Sequence, residues 1–157
     1  MQAVAKNGTQ ASRGVIVVFC PDLFFLVGIR NTARRLGFEP HVVKTLDELE
    51  ESASILNPAL VLVDLAEIGD EGDWEAVSGY LRHGVPILAF GPHKAVEAFR
   101  AAKAVGVTRV VANSQFHREM AELIDRYASD VATTQQMEAG SDFDGGAPRL
   151  PPGARFG

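Results

Sequence analysis

The chain has 157 residues, 46% of them hydrophobic and 22% charged, enough to bury a core without disulfides or a structural metal. Fifteen basic against twenty acidic residues give a net charge of −5, which argues against a broad nucleic-acid or anionic-lipid surface. The one cysteine, Cys20, excludes an internal disulfide and fits a reducing compartment.

Met1–Arg13 shows no apolar periodicity and no secretory-signal pattern, so a disordered N-terminal segment is expected. Val15–Cys20 is a continuous β-branched run stopped by Pro21, as in a strand covered on both faces. Leu23 to Leu36 follows with helical spacing (Phe25, Ile29, Ala33, Leu36), and Gly37 sits where a left-handed cap belongs. Pro21 and Asp22 interrupt the hydrophobic stretch Val15–Ile29, which falls short of the roughly 20 residues of a membrane helix. A cytoplasmic location is expected.

His41–Val43 reads as a short strand with Pro40 at its edge-tolerant start. Thr45 and Glu48 fit a capping box opening a helix to about Leu56, ended by Pro58. Leu60–Val63 is a buried strand terminating in Asp64. An acidic loop (Glu67, Asp70, Glu71) then leads through Gly72 to Asp73, placed to N-cap a helix reaching Arg82. Pro86–Phe90 is a fourth strand, Lys94–Val105 a helix ending at Gly106, and Val110–Ala112 a fifth strand. Ser114 is placed to cap a last helix running to about Tyr127. From Ser129 the chain turns polar and then Gly/Pro-rich, so 129–157 is expected to be a disordered tail. Residues 14–128 are thus expected to form one α/β domain, a (βα)5 doubly wound five-stranded parallel sheet.

In such a sheet ligands bind beyond the carboxyl ends of the strands. Those ends are Cys20-Pro21-Asp22, Val43-Lys44, Asp64, Gly91-Pro92 and Asn113-Ser114. Asp64, His93 and Ser114 would share this edge, but no G-x-S-x-G elbow supports a hydrolase. No P-loop or dinucleotide motif follows the first strand, and His41, His83, His93 and His117 lack zinc-site pairings. Glu67, Asp70, Glu71 and Asp73 do not follow an EF-hand spacing and are expected to be solvated. Cys20, inside an apolar strand, is expected to be an inert small hydrophobe.

The (βα)5 order and the phrase Pro58-Ala59-Leu60-Val61-Leu62-Val63-Asp64-Leu65 resemble a response-regulator receiver domain. So do Pro86-Ile87-Leu88 after a helix and Ala104-Val105-Gly106 before the fifth strand, and the likeness covers almost all of 14–128. The resemblance implies a flavodoxin-like, receiver-like fold and puts Asp64 at the phosphoacceptor position. It also implies a pocket. Two acids at the end of the first strand hold Mg²⁺ with the acceptor, a Thr or Ser ends the fourth strand, a Lys ends the fifth, and an aromatic lies on the fifth. In this chain the acid pair falls on Phe19 to Pro21, with Asp22 just beyond. The hydroxyl falls on Gly91, the lysine on Asn113 and the aromatic on Val110. The resemblance is therefore to a degenerate, or pseudo-receiver, member whose pocket is Cys20, Asp22, Gly91 and Asn113. Asp64 is then expected to be a solvated strand-end acid.

The expectation that follows is a stand-alone, non-catalytic protein-interaction module of two-component-type signalling. It has protein partners, no cofactor, no nucleic acid and no membrane. Two readings stay open beside it: an atypical receiver phosphorylated on Asp64, which alone requires Mg²⁺, and a small-ligand binder at the carboxyl edge of the sheet. Leu23–Val27 is apolar at five consecutive positions, more than one buried face needs. Part of it is expected to fill the space of the missing acids, with exposure of Phe24 to a partner as the alternative. Receivers commonly dimerise through the fourth helix, fifth strand and last helix. The candidate homodimer contacts there are Lys94, Glu97, Arg100, Arg109 and Arg118.

Overall fold

The structure, a computed structural model, describes residues 12–68 and 71–140. Five strands form one parallel sheet: β1 (Gly14–Phe19), β2 (Phe38–Val43), β3 (Leu60–Asp64), β4 (Ile87–Gly91) and β5 (Arg109–Ala112). Their spatial order is β2-β1-β3-β4-β5. The helices are α1 (Leu23–Arg35), α2 (Leu46–Ile55), α3 (Ser78–Arg82), α4 (Val96–Val105) and α5 (Asn113–Gly140). Each crossover packs a helix onto the sheet, because only covered faces let uninterrupted apolar strands such as Leu60–Val63 leave water.

Alternate residues of each strand feed two cores. Ile16, Val18, Leu62, Leu88 and Phe90 pack with Ile29, Phe116 and Ile124 from α1 and α5. Val17, Phe19, Val61, Val63 and Ala89 pack on the other face with Leu49, Trp74, Tyr80 and Ala102. Burying each large side chain contributes about 1.5–3 kcal/mol, so the sheet's two faces carry most of the stability.

Local signals mostly act where the sequence puts them. Asp22 caps α1 by accepting from the Phe24 amide at 2.9 Å. Thr45 accepts from the Glu48 amide, and Glu48 accepts in return from the Lys44 amide at 2.7 Å. Gly37 and Gly106 take φ of 96° and 101°, closing α1 and α4 in the left-handed region that glycine enters freely.

Several boundaries depart from the sequence reading. β2 starts at Phe38 rather than His41, and Pro40 lies inside it; β2 is the sheet's edge, where a missing N–H is tolerated. Ser12 and Arg13, assigned to the disordered segment, are fixed. Arg13 lies 4.4 Å over the Phe38 ring, donates to the Leu36 carbonyl and pairs with Asp125 at 3.0 Å. Asp73 caps no α-helix, because residues Glu71–Val77 form a 3₁₀ segment and only Ser78–Arg82 is α-helical. Trp74 and Val77, both buried, stand three residues apart, the period a 3₁₀ turn aligns on one face. Ser114 lies inside α5, which starts at Asn113, and α5 continues past Tyr127 to Gly140. No Gly or Pro interrupts the sequence between those points. The disorder expected for residues 1–11 and 141–157 lies outside the described residues. Among the described residues no helix is long and apolar enough to cross a membrane.

Candidate functional site

The strand order reverses between β1 and β3, so the crevice of this fold opens at the ends of these two strands. Phe19 pairs with Val63, and one step further the register sets Cys20 beside Asp64. The two side chains meet: the Cys20 thiol donates to Asp64 Oδ2 at 3.7 Å, and also lies 3.7 Å from the Asp22 carbonyl. Asp64 Oδ1 accepts from the Ala66 amide at 3.0 Å, capping the 3₁₀ turn Leu65–Glu67.

Asp64 is not the solvated acid expected from the sequence. It is only 7% exposed, because β3 lies between β1 and β4 and its last residue is covered by Cys20 and the turn that follows. Burial raises its pKa above the ordinary carboxylate range, opposed by the Ala66 amide and the Cys20 thiol and reinforced by Glu67 and Asp22. Burial also pushes the Cys20 thiol up to about 12, and the neighbouring Asp64 charge adds to it. A thiol so far above neutrality is a weak donor and a poor nucleophile.

The remaining pocket positions differ: Gly91 is packed against, Asp22 is engaged elsewhere, and Asn113 carries an oxygen unpartnered among the described residues. Gly91 ends β4 against Leu65, whose Cβ lies 2.9 Å from where a Gly91 Cβ would stand. Leu65 therefore takes the room a side chain at position 91 would need. Asn113 opens α5 with its Oδ1 buried and without a hydrogen-bond partner among the described residues. Asp22 is exposed and engaged as the cap of α1. A hard divalent cation does not fit this donor set. Both Asp64 oxygens already accept hydrogen bonds, Cys20 is a protonated sulfur, and no group of three His, Cys, Asp or Glu among the described residues can hold a metal.

Beside the thiol–carboxylate pair stands an aromatic wall. Phe90, the register partner of Asp64, stacks on Phe116 with centroids 4.1 Å apart and planes 7° apart. Phe25 lies 5.7 Å from Phe90 and 6.2 Å from Phe116. Only Phe25 and Leu26 of the apolar run turn inward. Leu23 and Phe24 are 72% and 74% exposed, so only the part of the run formed by Phe25 and Leu26 faces the core. A helix presents one stripe to the core, and five consecutive residues pass all the way round it.

The candidate interface residues also divide differently. Phe24 and Arg118 line one groove of about 410 Å³ between α1 and α5, together with Phe25, Gly28, His117 and Met120. Glu97 and Arg100 lie in the first half of α4 and pair at 3.1 Å, whereas Lys94 precedes the helix, which starts at Val96 rather than at Lys94. Arg109 on β5 donates to the Tyr127 hydroxyl at 3.2 Å. Sequence reasoning missed Leu65 and the Phe90–Phe116 stack, since an apolar residue in an apolar run carries no signal of what it faces.

No family model matches the sequence, and no curated protein matches it. Solved structures do. One is the receiver domain of a sensor histidine kinase from Pseudomonas aeruginosa, solved with magnesium coordinated in its active-site cleft. It is 16% identical with a TM-score of 0.62, covering 74% of this chain and 98% of that one. A response regulator receiver protein from Burkholderia phymatum is 18% identical at a TM-score of 0.59, covering 73% and 94%. A response regulator from Thermotoga maritima is 13% identical at 0.60, covering 76% and 99%. The chain has the receiver fold. These identities carry the architecture and the strand order, whereas the side chains at the strand ends are this chain's own.

Proposed function

We propose that the chain is a pseudo-receiver: a non-catalytic protein-interaction module of two-component-type signalling that does not use phosphate as its switch. The observation that carries this reading is the Cys20–Asp64 contact at the switch point. At the position the receiver resemblance assigns to the phosphoacceptor stands a buried carboxylate bonded to a neutral thiol, with Leu65 packed over Gly91. Phosphoryl transfer to a carboxylate needs neutralisation of the charge that builds on the transferred group. Here the nearby titratable groups are Asp22 and Glu67, which add negative charge, and no Lys or Arg bonds to Asp64 among the described residues.

The test is chemical. Incubation with Mg²⁺ and acetyl phosphate, followed by intact-mass analysis, is expected to leave the wild type and Asp64→Asn at their unmodified masses. A phosphoryl adduct on the wild type that Asp64→Asn abolishes would establish the atypical-receiver reading instead.

A further inference from the structure

We infer that the chain associates with itself head to tail, the α1 face of one copy seating the α2 face of the next. The inference stands apart from the phosphate question. α1 holds Arg30, Arg34 and Arg35 and no acid, in a chain whose net charge is −5. α2 holds Asp47, Glu48, Glu50 and Glu51 and no base. The two helices lie on opposite faces of the sheet, α1 over the core that contains Ile29 and α2 over the core that contains Leu49. Each also carries apolar surface in water. Leu23, Phe24 and Val27 are 72%, 74% and 58% exposed on α1, and Ile55 is 78% exposed on α2.

The order of these groups along the two helices is complementary. On α1 the outward stripe runs Val27, Arg30, Arg34, apolar at the N-terminal end and cationic toward the C-terminal end. On α2 the stripe read backwards runs Ile55, Glu51, Asp47. The first spans about 10.5 Å and the second about 12 Å at 1.5 Å per residue. An antiparallel crossing therefore sets Val27 and Phe24 against Ile55, Arg30 against Glu51 and Arg34 against Asp47, and opposes the two helix dipoles. Among the described residues none of these four exposed charges or Arg35 is in an ion pair with its own chain. Glu48 is held in the cap of its own helix. A second copy fits better than an anionic membrane, since Phe24 lines a concave groove and the net charge is negative. The two faces differ, so the contact is heterologous and builds open chains or rings rather than a twofold dimer.

Sedimentation velocity on the full chain tests it. At low salt the weight-average sedimentation coefficient is expected to rise with concentration. That rise should disappear near about 1 M salt, where the screening length falls to about 3 Å. Arg30→Glu with Arg34→Glu, and separately Asp47→Arg with Glu51→Arg, are each expected to weaken association about tenfold or more. Mixing the two variants is expected to restore it, which a merely misfolded variant cannot do. A wild-type chain that stays monomeric at low salt overturns the inference. So does association that survives both reversals, or a mixture that stays monomeric.

Discussion

Asp64 is an acid in surroundings that disfavour its charge, and its pH behaviour follows from that. Burial raises its pKa in the folded state, so the folded chain holds the proton more tightly than the unfolded one. For a raised carboxyl the sign is the reverse of a salt-bridged one: stability is greatest in acid, and this group's contribution falls as pH rises from about 4, the ordinary aspartate range. Asp64→Asn removes the charge and keeps an oxygen for the Ala66 amide. It is expected to raise the melting temperature by a few degrees at pH 7, with the gain shrinking toward pH 4. Cys20 behaves oppositely in chemistry. With its thiol pushed up to about 12 and its side chain buried, alkylation at pH 8 is expected to run at least about a hundredfold slower in the native chain than in denaturant. At position 91, Gly91→Ser puts a Cβ 2.9 Å from the Leu65 Cβ and is expected to cost about 1–3 kcal/mol in urea unfolding. Leu65→Ala in the same chain removes the Leu65 Cδ1 contact at 3.2 Å but keeps the Cβ, so it is expected to relieve only a minor part of the loss. That Cys20 and Asp64 share one crevice was legible in the sequence, since both end strands there. The burial of Asp64 and the seat of Leu65 were not, because they depend on how the turn after β3 folds back over β4.

Elements were legible in proportion to how strongly their pattern repeats. β3, with its run Leu60–Val63, and α1, with Asp22 before it and Gly37 after it, stand almost where the residues put them. The stretch between Glu71 and Arg82 did not, because an apolar spacing of three serves a 3₁₀ turn as well as a helix, and Asp73 looked like a cap in either case. The start of α5 shows a different competition. Asn113 is helical, so Ser114 is two positions too late to cap, and packing of Phe116 against Phe90 fixes the first turn instead. Phe116→Ala is expected to cost about 3–5 kcal/mol in urea unfolding, as for a large aromatic removed from a filled core.

Over the whole molecule, the alternation of buried runs with helices announced the parallel sheet, and the order β2-β1-β3-β4-β5 then dictates which strand ends share a crevice. A chain can keep this scaffold while replacing the groups that make it a phosphate switch, because the strands' faces hold the fold and their ends hold the chemistry. The central claim is that the Asp64 crevice neither binds Mg²⁺ nor responds to a phosphoryl mimic. Amide NMR of the full chain, titrated with Mg²⁺ and then beryllofluoride, tests it most directly with Asp64→Asn as control. Spectra around Cys20, Asp64, Gly91 and Asn113 are expected not to change. Shifts at those residues that require Mg²⁺ and vanish in Asp64→Asn would contradict it.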